Sequence, residues 1–394
     1  LTTFMGLDDK TECLGFYSNG ELHLNETPST DLTRTWKYLP SIDRDDVEYA
    51  YLYTGKELEV VCPDHLKPKW DRSWKKMKAF LNSFREAKID LNDNCLYDMV
   101  PEKFLLEFFD VKCRIVDHIL DTYEKPKDYE YQLELHKLLD KIKRQPLLFS
   151  GKDLQSRISE SNVRRFVDSL ANWKSIEYKQ FGTKTGRLSG TKRSFPILTM
   201  DKSLRCALKP RNGFFVEFDY NAAELRTFFA LSGWEQPEDD IHEWNIKNAF
   251  DGKVTREQAK KEIFAWLYNP SDTRTFGQFY DRKAVLDKYW DGVHVVNPYG
   301  RKIESDHHHA LSYLVQSTTS DLVLRKAIEI AKLVEDKKTN LAFTVHDSIV
   351  LDLPIEEKEV IKQVAQIFGD TKFGRFKVSV TAGKDYGNME TLNL

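Results

Sequence analysis

Two carboxylates and one helical stripe are the parts of this 394-residue chain best suited to chemistry. Asp219 closes the apolar run 214–218, which its composition marks as a buried strand. Asp347 stands beside His346 at a bend between two further apolar runs, 341–345 and 348–353. Carboxylates at the ends of neighbouring strands can hold two divalent ions, roughly 3.5–4 Å apart. Asp219 taken alone would equally serve to cap the helix that follows. Arg256, Lys260, Phe264 and Tyr268 recur every four residues. A step of four advances only about 40° around a helix, so the four share one slowly winding face. Two cations then two aromatics fit a triphosphate at one end and a flat base at the other. The same spacing also fits a helix with a partly buried aromatic stripe. Together these residues suit phosphoryl transfer, which asks mainly for positioning and charge neutralisation. Hard oxygen ligands and a phosphate-bearing substrate favour Mg²⁺.

The elements that must hold them are legible in outline. The length predicts two or three domains or one multi-lobed unit. With 41% hydrophobic and 31% charged residues the chain is globular, and no apolar run is long enough to cross a membrane. No leader sequence is evident. Five scattered cysteines with no C-x-x-C suggest neither a zinc site nor a disulfide framework, and point to a reducing compartment. A net charge of −3 still allows a local basic groove.

Residues 1–65 mix short strand-like runs (13–17, 49–53, 58–61) with turns, Asn19-Gly20 reading as a hairpin. Asp8, Asp9 and Glu12 lack the D-x-E spacing of a proofreading exonuclease. Residues 66–90 are basic with interleaved tryptophans. They predict an amphipathic helix with Trp70, Trp74, Met77 and Phe80 inward, or a helix facing nucleic acid. Two long helices broken near Lys125-Pro126-Lys127 predict an antiparallel, projecting lobe. Lys184-Thr185-Gly186-Arg187-Leu188-Ser189-Gly190, with Lys192 and Arg193 after it, offers cations to phosphates or base edges. Thr255 and Gln258 form a capping box ahead of the Arg256 helix, and Pro270 ends it at Asn269. His307-His308-His309 share no helical face and are expected to be solvated or partly stacked. A helix over 310–333 carries Gln316.

In this order the motifs resemble family A DNA polymerases, the group of bacterial DNA polymerase I and its phage and mitochondrial relatives. The resemblance covers about residues 180–394. Thr185 to Ser189 look like the primer-contacting motif, which makes Arg187 a minor-groove contact, with Lys192 and Arg193 nearby on DNA. Asp219-Tyr220-Asn221-Ala222-Ala223-Glu224-Leu225-Arg226 looks like motif A. That implies Asp219 and the Tyr220 carbonyl as metal ligands and Glu224 as the steric gate against a ribose 2′-OH. Asp240-Ile241-His242 places His242 near the incoming phosphates. Arg256, Lys260, Phe264 and Tyr268 match motif B, with Lys260 a candidate proton donor to the leaving group. Gln316 matches the duplex-contacting Gln, and His346-Asp347 matches motif C.

Five positions depart from the family pattern. Ala265 and Asn269 stand where motif B has Gly, Asn221-Ala222 replaces a Ser-Gln pair, and Ser348 replaces a Glu. The resemblance implies an α+β right-hand fold with an antiparallel-sheet palm, helical fingers and a helical thumb. The expected division is an N-terminal region of residues 1–90, reduced or degenerate relative to an exonuclease domain. A thumb of 91–175, a palm of 176–235 and 293–394 and fingers of 236–292 complete it. The implied function is dNTP addition to a primer 3′-OH with release of pyrophosphate, without proofreading. Two Mg²⁺ ions, or Mn²⁺, serve as cofactors. Primer-template DNA and dNTPs are the partners, a separate processivity or exonuclease factor is compatible, and no membrane is involved. The expected location is the cytoplasm, that of a host if the chain is viral, with an organelle also compatible. A single-subunit RNA polymerase and a non-catalytic duplex-binding module are the rival readings. Ser348 leans toward the first; the retained carboxylates and cations lean against the second.

Overall fold

A computed structural model of the chain describes residues 2–10, 13–91 and 93–393. Glu12, one of the carboxylates weighed for an exonuclease, lies outside them. The chain forms two compact units, residues 1–137 and 138–394. No helix among the described residues is long and apolar enough to cross a membrane.

In the first unit, β1 (Phe4–Lys10), β2 (Cys13–Ser18) and β3 (Glu21–Leu24) form an antiparallel sheet. Asn19 and Gly20 both take positive φ (49° and 90°), which makes the two-residue turn that Asn-Gly favours. Two helices follow, α1 (Lys67–Glu86) and α2 (Glu102–Thr122). The inward stripe of α1 is Trp70, Met77 and Phe84; Trp74 and Phe80 are half-buried. Trp70 stacks on Phe108 of α2, and Phe109 of the same helix stacks on Tyr17 of β2. Thus α2 does not project, as its pairing with the next helix had suggested. It buries Ile115, Val116 and Ile119 completely and packs as a core element against the N-terminal strands. Runs 49–53 and 58–61, which look strand-like, are the short helices Ala50–Thr54 and Leu58–Val61. Runs of four or five apolar residues suit either state, and packing decides. Cys95 is disulfide-bonded, contrary to the expectation from five scattered cysteines, while Cys62, Cys113 and Cys206 are free. The helix α3 (Tyr129–Lys143) carries the chain into the second unit.

The second unit is built around β4 (Phe214–Tyr220). It is followed by α4 (Ala223–Ser232), α5 (Ile241–Asn248), α6 (Arg256–Tyr268), α7 (Arg282–Tyr289) and α8 (His307–Leu333). Then come β5 (Asn340–Val345), β6 (Ser348–Leu353), α9 (Val360–Gly369), β7 (Val378–Gly383) and β8 (Glu390–Thr391). The antiparallel sheet has the order β5-β6-β4-β7-β8, so the first strand in sequence is central. Its core face is Phe218 and Val216, with Tyr220 stacked on Phe368 of α9 at 4.0 Å between ring centroids. Phe228, Trp266, Tyr280 and Leu314 bind α4, α6 and α8 into a second cluster. Thr255 and Gln258 form the predicted capping box, and α6 stops at Tyr268 before Pro270. The three histidines open α8, with Asp306 as N-cap.

Candidate active site

Register brings the two carboxylates together. On β4, Asp219 pairs with Ser348 of β6 on one side and Ser379 of β7 on the other. Asp347 is the residue before Ser348, in the two-residue turn between β5 and β6. His346 begins that turn at φ 53°, a conformation costly for a residue with a Cβ and tolerated where the surroundings enforce it. Asp219 stands open at the sheet's end, yet protein surrounds most of its carboxyl. That burial, with the charges of Asp347 and Glu217 added, pushes it up to about 7. The cluster is short of positive charge.

Glu217 was missed by the sequence reading. It lies two residues before Asp219 and so on the same face of β4. Ser348 Oγ donates to its carboxylate at 2.8 Å. The serine that replaces the family's usual glutamate is therefore tied to a carboxylate on the adjacent strand. Period-two alternation in Glu217-Phe218-Asp219 was the available signal.

A cleft of about 510 Å³ opens on this sheet end, lined by Arg187, Ala222, Ala223, Glu224, Phe264, Tyr268, Gln316, His346 and Asp347. Residues from five separate motifs thus converge. Phe264 and Tyr268 stack with rings 9° apart, and His242 tilts against Phe264 at 6.1 Å. The Tyr268 hydroxyl is buried with no partner among the described residues. Glu224 is paired with Arg187; burial raises its carboxyl, and Arg187 pulls it back. Gly186 is needed at its position. Its φ is 77°, and a Cβ there would sit 2.7 Å from the Arg301 guanidinium. Arg301 is itself held by the buried Asp321 at 2.7 Å, with Asn297 donating to the same carboxylate at 2.8 Å. This pair supports the loop that presents Arg187.

Other predicted residues, Asp219 among them, lie outside that cleft's lining. Arg256 and Lys260 sit on the stripe of α6 next to His242, whose ring they help hold neutral. Burial first, and then their charges, bring it down to about 4. Lys192 and Arg193 are exposed in their loop. The Tyr220 side chain turns away into the core, its hydroxyl donating to the Phe368 carbonyl at 2.6 Å, so only its backbone faces the site. A larger cleft of about 1420 Å³, between residues 233–238 and 373–380, holds none of the predicted residues.

Asn221 and Arg226 form the joint between β4 and the helices. The Arg226 side chain is wholly buried. It donates to the carbonyls of Asn221 at 2.9 Å, Pro237 at 2.7 Å and Asp239 at 2.7 Å. The Asn221 amide donates to Asp240 at 2.8 Å and its carbonyl oxygen accepts from the Ile241 N–H at 3.0 Å. Asp240 caps α5 through the N–H groups of His242 and Glu243 and accepts from Arg256 at 2.7 Å. Burial alone would raise the Asp240 carboxyl; these donors hold it far below the usual range. Ala222, between Asn221 and α4, takes φ 52° with no side-chain cap.

Two aspartates at the end of a central antiparallel pair, with a helix carrying cations and aromatics in the same unit, make an α+β arrangement of palm-and-fingers type. No family model matches the chain. It is 26% identical over 266 residues to a DNA polymerase of Mycobacterium phage D29, covering 56% of this chain and 41% of that protein. DNA polymerase I of Borreliella burgdorferi is 21% identical over 285 residues, with 58% and 31% covered. The thermostable DNA polymerase I of Thermus aquaticus is 24% identical over 242 residues, with 48% and 29% covered. The fold matches the POL domain of Pol1 from M. smegmatis, solved in complex with DNA primer-template and dNTP. The TM-score is 0.57 at 15% identity, over 86% of this chain and 81% of that one. The chain spans less than half the length of these curated relatives. Its sequence resembles that of family A, the DNA polymerase I family, with divergent motifs.

Proposed function

We propose that this chain performs template-directed DNA synthesis, adding dNTPs to a primer 3′-OH and releasing pyrophosphate. The observation that carries the proposal is the register that sets Asp219 opposite Ser348, next to Asp347, which lines a cleft with Glu224, Arg187, Phe264 and Tyr268.

The donor set fits a divalent cation: two hard carboxylates, crowded by Glu217 and lacking a compensating charge. Asp219 and Asp347 would hold two Mg²⁺, or Mn²⁺, with the Tyr220 carbonyl beside them. Among the described residues no three His, Cys, Asp or Glu side chains form a ready metal cluster, so substrate phosphates must complete the coordination. When bound, the metal lowers the pKa of the attacking hydroxyl and neutralises charge on the phosphates.

The chain's own residues do the rest. Phe264 and Tyr268 stack near the nascent pair and exclude water from it. Arg256 and Lys260 bind the triphosphate, and Lys260 protonates the leaving group. His242, neutral above about pH 5, donates a hydrogen bond to the phosphates. Glu224 occupies the space of a ribose 2′-OH. Arg187, Lys192, Arg193, Gln316 and His346 contact DNA. In this reading residues 1–90 are a remnant without proofreading and 91–175 the thumb. Residues 176–235 with 293–394 form the palm, and 236–292 the fingers. A processivity or exonuclease factor would act as a separate partner, in the cytoplasm of the cell or of its host.

The deciding experiment is primer extension with Mg²⁺ by wild type, Asp219→Ala and Asp347→Ala. Extension by wild type alone, with DNA binding retained in all three, is expected. Extension by either variant would sink the site assignment.

A further inference from the structure

We propose that the outward face of α1 is a second nucleic-acid contact surface, binding the sugar-phosphate backbone through Lys69, Arg72, Lys75 and Lys76. The proposal rests on the reading that this chain acts on DNA. Helix α1 carries seven Lys and Arg against Asp71 and Glu86, a net +5 in a chain whose total is −3. Trp70, Met77 and Phe84 define its buried side. At 100° per residue, Arg72 and Lys75 point away from that side, and Lys69 and Lys76 lie together beside Arg72. All four are exposed.

Like charges three and four residues apart oppose helix formation unless something offsets them. Among the described residues, none of the four has a carboxylate partner. Elsewhere in the same unit cations do find carboxylates: Arg34 with Asp121 at 2.7 Å, Arg44 with Asp46 at 2.9 Å and Lys137 with Asp43 at 2.7 Å. A polyanion from outside is the partner this surface lacks. A membrane is disfavoured, because an interfacial helix turns an apolar face outward. Here the apolar face is spent on the core, with Trp70 and Trp74 stacked on Phe108. From Lys69 to Lys76 the helix rises about 10 Å, enough to meet roughly three phosphates spaced ~3.4 Å apart along a strand.

The test replaces all four residues by Glu in the full chain, with a second variant carrying Gln at all four to keep helix propensity. Affinity for a labelled primer-template and for a labelled single strand is measured by anisotropy from 50 to 200 mM salt. We expect the Glu variant to bind at least about 10-fold more weakly at low salt, and the slope of log affinity against log salt to shrink by about 2 to 4. The Gln variant should fall between it and wild type. Whichever DNA loses more identifies the strand contacted. Extension at saturating DNA should stay within about two-fold of wild type. Unchanged affinity and slope for both DNAs would overturn the proposal, as would weaker binding with an unchanged slope. If wild type binds DNA in this charge-dependent way but does not extend a primer, the polymerase reading fails and the surface stands.

Discussion

The Oδ2 oxygen of Asp240 accepts from the Arg256 guanidinium at 2.7 Å and from the Asn221 amide at 2.8 Å. One carboxylate therefore joins the residue after motif A's tyrosine to the first cation of α6. If Arg256 binds the triphosphate, its placement depends on this joint. Asp240→Asn keeps one oxygen for the α5 cap but loses the charge facing Arg256. The KM for dNTP is expected to rise about 5- to 10-fold, roughly 1–1.4 kcal/mol of binding, while the Kd for primer-template stays unchanged. Steady-state kinetics with anisotropy checks this; an unchanged KM rejects the joint as a positioning device.

Arg226 holds three backbone carbonyls from a fully buried position. Removing it orphans those acceptors, and buried polar groups left unpaired are costly. Arg226→Ala should lower unfolding stability by about 3–4 kcal/mol. Arg226→Lys should recover little, since one ammonium cannot span the fork. Denaturant unfolding would show it.

The electrostatic strain at Asp219 predicts a stability gain on neutralisation. Asp219→Asn removes a charge crowded by burial, Asp347 and Glu217. In metal-free buffer at neutral pH its Tm should exceed wild type by about 2–4 °C. Added Mg²⁺ should raise the Tm of wild type and not of the variant. Glu217→Gln should give a smaller gain and a weaker Mg²⁺ response, because its carboxylate is held in place by Ser348.

His242 sets a pH dependence. Its folded value of about 4 lies below the ordinary 6.5, so between those values the unfolded chain takes up the proton first. Its contribution is fully present above about pH 6.5 and is lost as pH falls toward 4. Tm measured from pH 4 to 7 should therefore slope upward, and His242→Gln should flatten that slope. An equal slope in both proteins would place the dependence on other groups.

Glu224 lines the cleft and pairs with Arg187. Glu224→Ala should raise rNTP incorporation relative to dNTP by about 10- to 100-fold. Arg187→Ala should do so more weakly, by releasing Glu224 from its partner, and should also weaken primer contact. Preference for rNTP in wild type would instead favour an RNA polymerase.

Much of this was determined by sequence alone. The α6 stripe follows from a four-residue period, its start from the Thr255–Gln258 box and its end from Pro270, all local effects. The strand at Asp219 and the turn at His346-Asp347 follow from apolar runs and their interruption. What residue types and spacing could not decide was which strands neighbour which. The order β5-β6-β4-β7-β8 places Asp219 opposite Ser348, a pairing 129 positions apart in the chain, and so makes Glu217 part of the site. The role of Asn221 and Arg226 was hidden for the same reason. Most of their partners are carbonyls and a carboxylate more than ten residues away, and backbone acceptors leave no mark in residue types. In the N-terminal unit, packing against the strands turned a helix expected to project into a core element. Local propensity sets which elements form; the burial of their apolar faces against one another decides where each side chain ends up.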